Sequence, residues 1–216
     1  MEKHFLPQTS LVCTLAAALN RYYPDALNLL NPGVSEPEID LFKTRYQLEL
    51  PETFYDFYRW CNGSACEYSD DDWDDWLFPF ENTQSLLPLE SIVRTKDSWD
   101  EIQASFQEWN PGEYWNEAWI PFMERRYWWV QVVDTKGCFG GIPGQIISFD
   151  YKSYPFRHIE YDSFDKWLET VIAKVKSKCL FKKLNEIGFE EHQEIFAIEK
   201  RINPNRRSIE LEQKKV

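Results

Sequence analysis

Ser35-Glu-Pro-Glu-Ile-Asp-Leu-Phe42, then Leu48-Glu-Leu-Pro-Glu52, Phe54-Tyr-Asp-Phe-Tyr58 and Trp60-Cys-Asn-Gly63 form the stretch whose reading decides the fold. Ser35 can cap a helix, Pro37 suits its first turn, and Glu38 stands at the capping-box position three residues on. Ile39, Phe42 and Tyr46 follow at helical spacing, so a helix is predicted over 35–46. Pro51-Glu52 opens another, expected over 52–61. Phe54, Tyr55, Phe57, Tyr58 and Cys61 lie on or near one face of it. Asn62-Gly63 is expected to end that helix, because both residues tolerate the left-handed C-terminal conformation.

Working outward, Leu11-Val-Cys-Thr-Leu-Ala-Ala-Ala-Leu19 imitates a signal peptide, but its leader holds Glu2 and a single lysine, Lys3. Leu11, Leu15, Ala18, Leu19 and Tyr22 share a helical face, so an amphipathic helix is expected, capped by Ser10 and ending before Pro24. Asn31-Pro-Gly33 reads as a break. Beyond Gly63 comes a polar acidic stretch from Glu67 to Asp75, then Trp76-Leu-Phe-Pro-Phe80. Leu89 to Val93 and Trp99 to Trp109 read as two helical pieces, stopped by Asn110-Pro-Gly112. The periodicity then changes. Ala118-Trp-Ile-Pro-Phe122, Tyr127-Trp-Trp-Val-Gln-Val-Val133, Gln145-Ile-Ile-Ser-Phe149 and Phe156-Arg-His-Ile-Glu160 are rich in aromatic and β-branched residues, as strands are. Lys136 to Gly144 is turn territory. Asp162 or Ser163 caps a closing helix near 163–178, through Phe164, Trp167, Leu168, Val171, Ile172 and Val175. Glu190 to Ile202 is a further helical stretch, before a polar end expected to fray. Helices, then a central antiparallel sheet drawn from residues 76–160 and flanked by helices, then helices again: this order implies an α+β fold.

The chain has 216 residues, 43% of them hydrophobic and 17% aromatic. A core of that size needs no metal or disulfide staple. The formal charge is −12, which repels nucleic acid and anionic membranes and favours a cationic partner. The charge is divided. Residues 174–216 carry 11 basic and 7 acidic side chains, and residues 1–173 carry 13 and 29. Three regions follow: an N-terminal helical extension at 1–33, a main domain at 34–178, and a basic helical tail at 179–216. Cys13, Cys61, Cys66, Cys138 and Cys179 are odd in number and irregular in spacing, as expected of reduced thiols in a cytoplasmic protein. No apolar run approaches the ~20 residues of a membrane span.

Nothing in the chain signals catalysis or a cofactor. His4, His158 and His192 sit in different elements, without a second ligand at metal-binding spacing. Four residues separate Cys61 from Cys66, a spacing that fits no common zinc or redox pattern. Gly137-Cys-Phe-Gly-Gly-Ile-Pro-Gly144 lacks the Gly-Lys-Ser/Thr ending of a phosphate loop and lies between two strands, so a hairpin connection is expected there. No Gly-x-Ser-x-Gly elbow is present.

The acidic stretch stands apart. Glu67, Asp70, Asp71, Asp72, Asp74 and Asp75 are interleaved with Tyr68, Trp73 and Trp76. Three readings fit: a partner-binding element with Trp73 as anchor, a casual cation site, or a solvated loop. The stretch does not fit an EF-hand loop: counting from Asp70, the twelfth position holds the required glutamate, Glu81, but the sixth holds Asp75 where glycine is needed. The candidate partner-binding residues are therefore Glu67, Asp70, Asp71, Asp72, Trp73, Asp74 and Asp75. The aromatic face around Tyr127, Trp128 and Trp129 is the next candidate.

Taken together, these motifs resemble the SUKH superfamily, which unites bacterial toxin-immunity proteins with fungal cell-wall assembly regulators of the Smi/Knr type. The resemblance rests on the acidic helix, the Leu50-Pro-Glu52 start, the aromatic helix and Asn62-Gly63, then Trp119-Ile-Pro-Phe122, Asp134, Gln145 to Phe149 and Ser163-Phe-Asp-Lys-Trp-Leu168, in the family's order over about residues 34–175. Met123-Glu-Arg-Arg-Tyr-Trp-Trp129 departs from the small glycine-bearing turn usual there. Read physically, most of the shared residues are scaffold, with Trp119, Ile120 and Phe122 expected to pack under the helices. The resemblance implies no catalytic residues and a protein partner, commonly a toxin nuclease domain with a basic cleft. An immunity protein is the expected function, favoured over an intracellular scaffold or regulator by the small size, because the fungal regulators carry long disordered arms.

Overall fold

The computed structural model describes residues 9–64, 85–106, 109–125, 129–150, 155–178, 189–212 and 214. The first helix, α1 (Ser10–Tyr22), buries Val12, Leu15, Ala18 and Leu19. Its cap position falls on Thr9, one residue before the expected Ser10, whose carbonyl instead accepts from Thr14 Oγ1 at 2.6 Å. The Thr9 amide donates to the carboxylate of Asp56, so the start of α1 is fastened to the helix that contains Asp56.

A 3-10 turn (Pro24–Leu29) leads into β1 (Leu30–Pro32) and α2 (Glu36–Tyr46). The expected capping box is present: the Ser35 amide donates to Glu38 Oε2 at 2.8 Å, and the Glu38 amide is held by Ser35. Helix α3 (Glu52–Trp60) follows, with Phe54, Tyr55, Phe57 and Tyr58 buried. Asn62-Gly63 does not form the left-handed helix end that was expected. Cys61 is extended, and Cys61–Ser64 is strand β2, paired antiparallel with β1. The helix stops because the chain turns into that pairing. Gly63 keeps a positive φ of 78°, and a β-carbon there would meet Pro88 N at 2.5 Å, so glycine is required by a close approach of two backbones.

The main sheet has the strand order β3-β4-β5-β6-β7-β8, with each neighbouring pair antiparallel. Its strands are β3 (Ser85–Leu86), β4 (Trp119–Arg125), β5 (Trp129–Asp134), β6 (Gln145–Asp150), β7 (Phe156–Tyr161) and β8 (Arg207–Glu210). The remaining helices are α4 (Leu89–Ile102), α5 (Phe164–Lys176) and α6 (Phe189–Ile202). This is the expected α+β fold with a central antiparallel sheet. Two details differ. The pieces expected at 89–93 and 99–109 are one helix that ends at Ile102, followed by a 3-10 turn (Gln103–Ser105). The polar end expected to fray supplies β8, which pairs with β7.

Period-2 alternation sorts the strands onto two faces. Ile120, Phe122, Val133 and Ile146 join one core with α1, α3 and α5, in which Phe164 and Trp167 pack on Phe57 and Phe122. An irregularity between Pro121 and Met123 brings Phe122 and Met123 into the same core. Trp119 is the exception to the expected packing under the helices. It falls on the opposite face with Trp115, Val130, Val132, Ile147, Phe149 and Ile159. That second layer is closed by Trp99 and the segment at 109–118. Lys96 holds the segment in place: its Nζ donates to Asp100 Oδ2 at 2.8 Å and to the Glu117 carbonyl at 2.6 Å, while Trp115 Nε1 donates to Asp100 Oδ1 at 2.6 Å. Arg157 is fully buried here, its guanidinium 4.4 Å from the Phe149 ring centroid and 5.0 Å from that of Tyr114. Burial lowers its pKa to about 10.

Candidate functional site

Helix α4 stands as a ridge with a groove on each side. On the sheet side, Thr95, Ser98, Trp99 and Ile102 recur at i, i+3, i+4 and i+7, one helical face. They oppose a row of cross-strand neighbours, because Ser85 pairs with Glu124, Glu124 with Val130, and Val130 with Phe149. The space between is a groove of about 520 Å³, also lined by Trp129 and Phe106. Trp99 is a firm platform, stacked on Trp115 with centroids 5.2 Å apart and an interplanar angle of 18°. Glu124 is the carboxylate of this groove; burial raises its pKa and the charge of Arg94 partly offsets that.

On the other side, α4 and α2 enclose a groove of about 330 Å³. Glu38, Leu41, Phe42 and Arg45 contribute from α2, again at i, i+3, i+4 and i+7, facing Leu89, Glu90 and Val93 of α4. Hydrogen bonds to Ser35 hold the Glu38 pKa below its ordinary value. Arg45 is engaged by the carboxylate of Asp97. Leu41 is 73% exposed although it is a large apolar residue.

Asn62 ties β2 to the start of α4. Its Oδ1 accepts from the Leu89 amide at 2.7 Å, which satisfies an otherwise free donor in the first turn of α4, and its Nδ2 lies 3.4 Å from Glu90 Oε2. Ser64 Oγ reaches the Leu86 carbonyl at 3.4 Å. The described residues on either side of positions 65–84 are thus neighbours at the base of α4.

Glu67, Asp70, Asp71, Asp72, Trp73, Asp74 and Asp75 lie outside the described residues, as do Tyr127 and Trp128. Trp129 lines the larger groove. The two grooves were missed by sequence reading. Leu41, an apolar residue outside the Ile39, Phe42 and Tyr46 spacing read as the core side of the helix, was the signal available for the smaller one. His158 lies on β7 with Nδ1 2.8 Å from Ser208 Oγ, and His192 lies on α6. Among the described residues no three His, Cys, Asp or Glu side chains are grouped to hold a metal ion. Cys61 is buried, and burial pushes its thiol up; Cys138 is pushed up to about 11, chiefly by burial. The glycine-rich segment is the β5–β6 connection. Asp134 organises it, accepting from the amides of Lys136 and Cys138 and from Gln145 Nε2 at 2.8 Å.

A scan against protein-family models matches residues 33–170 to the SMI1 / KNR4 family (SUKH-1). The chain belongs to that family. The match runs from Gly33 to Thr170, and so contains α2, α3, α4 and both grooves. Membership supports a toxin-immunity or SMI1/KNR4-type role in general, and with it protein binding. A search of the curated proteins finds no match. Among the described residues no helix is long and apolar enough to cross a membrane.

Proposed function

We propose that this SUKH-1 member is a non-catalytic immunity protein that neutralises a toxin domain by direct binding. The partner is a basic domain, and a nuclease with its cationic nucleic-acid cleft fits best. What supports this reading is membership of the SUKH-1 family together with an α4 ridge that has an apolar groove on each side. Carboxylates speed encounter with a basic surface, and apolar grooves give the docked complex its lifetime. Glu67, Asp70, Asp71, Asp72, Asp74 and Asp75 are proposed to steer, and Trp73 to anchor.

The test is to look for a toxin gene beside the gene for this chain, to express its toxin domain with and without this chain, and to measure growth and complex formation. Rescue of growth with a stoichiometric complex is the expected result. If no such toxin is bound, the reading fails and an intracellular scaffold of the cell-wall assembly regulator type takes its place.

A further inference from the structure

We propose that the α2–α4 groove is a docking site for an amphipathic helix of the partner, with apolar side chains seated on Leu41, Phe42 and Val93 and lysine or arginine flanks facing Glu38 and Glu90. The inference rests on the protein-binding reading above and names the surface and the partner chemistry it uses.

Three observations converge on it. The first is shape. Two helices that leave a furrow between them accept the ridge of a third, and an amphipathic helix laid in such a furrow presents anchors at i, i+3, i+4 and i+7. The α2 side carries that spacing itself, from Glu38 to Arg45. The second is exposure. Leu41 is 73% exposed, the most exposed of the large apolar residues described, while its neighbour Phe42 belongs to the core. Leu41 therefore adds nothing to the core that Phe42 does not already supply, and its side chain is available to a partner.

The third observation is charge. Glu38 is kept ionised by its bonds to Ser35, and Glu90 lies exposed at the opposite rim. Arg45, the cation of the groove, is already engaged by Asp97, so the rim is left net negative. Further carboxylates, Glu36 and Asp40, lie on α2. Glu36 is bound by Arg59 Nε at 2.6 Å. With a whole-chain charge of −12, this surface disfavours an acidic helix and attracts a basic one.

The test uses the full chain and a defined probe: a 14-residue peptide with leucines at i, i+3, i+4 and i+7 and lysines elsewhere, beside a counterpart carrying glutamate for each lysine. Amide and methyl chemical shifts are followed during titration. The lysine peptide is expected to shift Leu41, Phe42, Leu89 and Val93 most, and the glutamate peptide to leave them unmoved. L41D, a change at a solvent-facing position that the fold tolerates, is expected to weaken lysine-peptide binding at least ~10-fold. The pair E38Q and E90Q is expected to flatten its salt dependence. Shifts centred elsewhere, or binding indifferent to L41D, overturn the inference. The immunity reading is tested separately with the neighbouring toxin. If L41D still binds and neutralises that toxin at full affinity, the groove assignment fails and the immunity reading stands. If the lysine peptide seats in the groove but no toxin is bound, the reverse holds.

Discussion

Lys174 of α5 and Glu199 of α6 meet at 2.6 Å with side chains only 7% and 19% exposed. Glu199 also accepts from Arg206 Nη1 at 2.8 Å, and Arg206 Nε reaches Glu160 Oε2 at 2.5 Å on β7. Asn203 adds a buried bond from its Nδ2 to Thr170 Oγ1 at 3.0 Å. The tail buries Ile198 and Leu211, and is held to the domain as well by these ion pairs and hydrogen bonds, of which the Lys174–Glu199 pair is the one most shielded from water.

Breaking that link from one side leaves a buried charge uncompensated. Glu199→Ala is expected to destabilise the protein by about 3 kcal/mol. Lys174→Met combined with Glu199→Leu is expected to recover most of the loss. Urea unfolding of the single and double variants checks both values, and equal losses in the two would count against the account.

Asn62 and Gly63 are expected to separate two kinds of cost. Asn62→Ala removes the acceptor for the Leu89 amide, a cap-like loss of about 1 kcal/mol. Gly63→Ala forces a β-carbon into the left-handed region and against Pro88, so a loss above ~2 kcal/mol is expected. Denaturant midpoints with unchanged m-values would report both as losses of native stability.

The helices of this fold were legible because their signals are local. Ser35, Pro37 and Glu38 specify the start of α2, and Ser163 caps α5 by accepting from the Lys166 amide. Strands β4 to β7 were legible from β-branched and aromatic runs. What could not be read is set by distant partners. Arg207-Ser-Ile-Glu210 has no strand periodicity of its own and becomes β8 only because β7 offers an edge. Asn62-Gly63 has the composition of a helix end, yet β1 and Pro88 decide its conformation. Trp119 alternates away from the helices because pleating, not hydrophobicity, assigns its face. The grooves beside α4 depend on which helix sides meet, information that no single segment carries.

Glu124 gives a pH test of the larger groove. Burial raises its pKa, so the folded state binds this proton more tightly than the unfolded state does. The resulting stability is fully present below the ordinary carboxylate value of 4.5 and is lost as pH rises through the folded pKa. Glu124→Gln, which keeps the shape without the charge, is therefore expected to be more stable than the natural protein at pH 7. The difference should shrink towards zero as pH falls below about 4. Thermal unfolding across pH 3 to 8 checks the sign, and a variant less stable at pH 7 would show that the carboxylate is a net structural asset.

The acid-rich segment yields the sharpest kinetic expectation, because steering and anchoring act on different rate constants. Asp70, Asp71, Asp72, Asp74 and Asp75 repel one another at a cost that is modest in water, and a cationic partner relieves it. Neutralising all five to Asn is expected to slow association with the toxin and flatten its salt dependence, while dissociation stays nearly constant. Folding stability should hold or rise slightly, since like charges have been removed. Trp73→Ala should do the opposite: association unchanged, dissociation faster, and about 2 kcal/mol or more of binding lost, as when a buried aromatic anchor is truncated. Stopped-flow and surface-binding measurements at several ionic strengths separate the two. Should the five-fold neutralisation leave both on-rate and salt slope unchanged, the steering charge lies elsewhere. Glu38 and Glu90 on the rim of the α2–α4 groove are then the next carboxylates to neutralise.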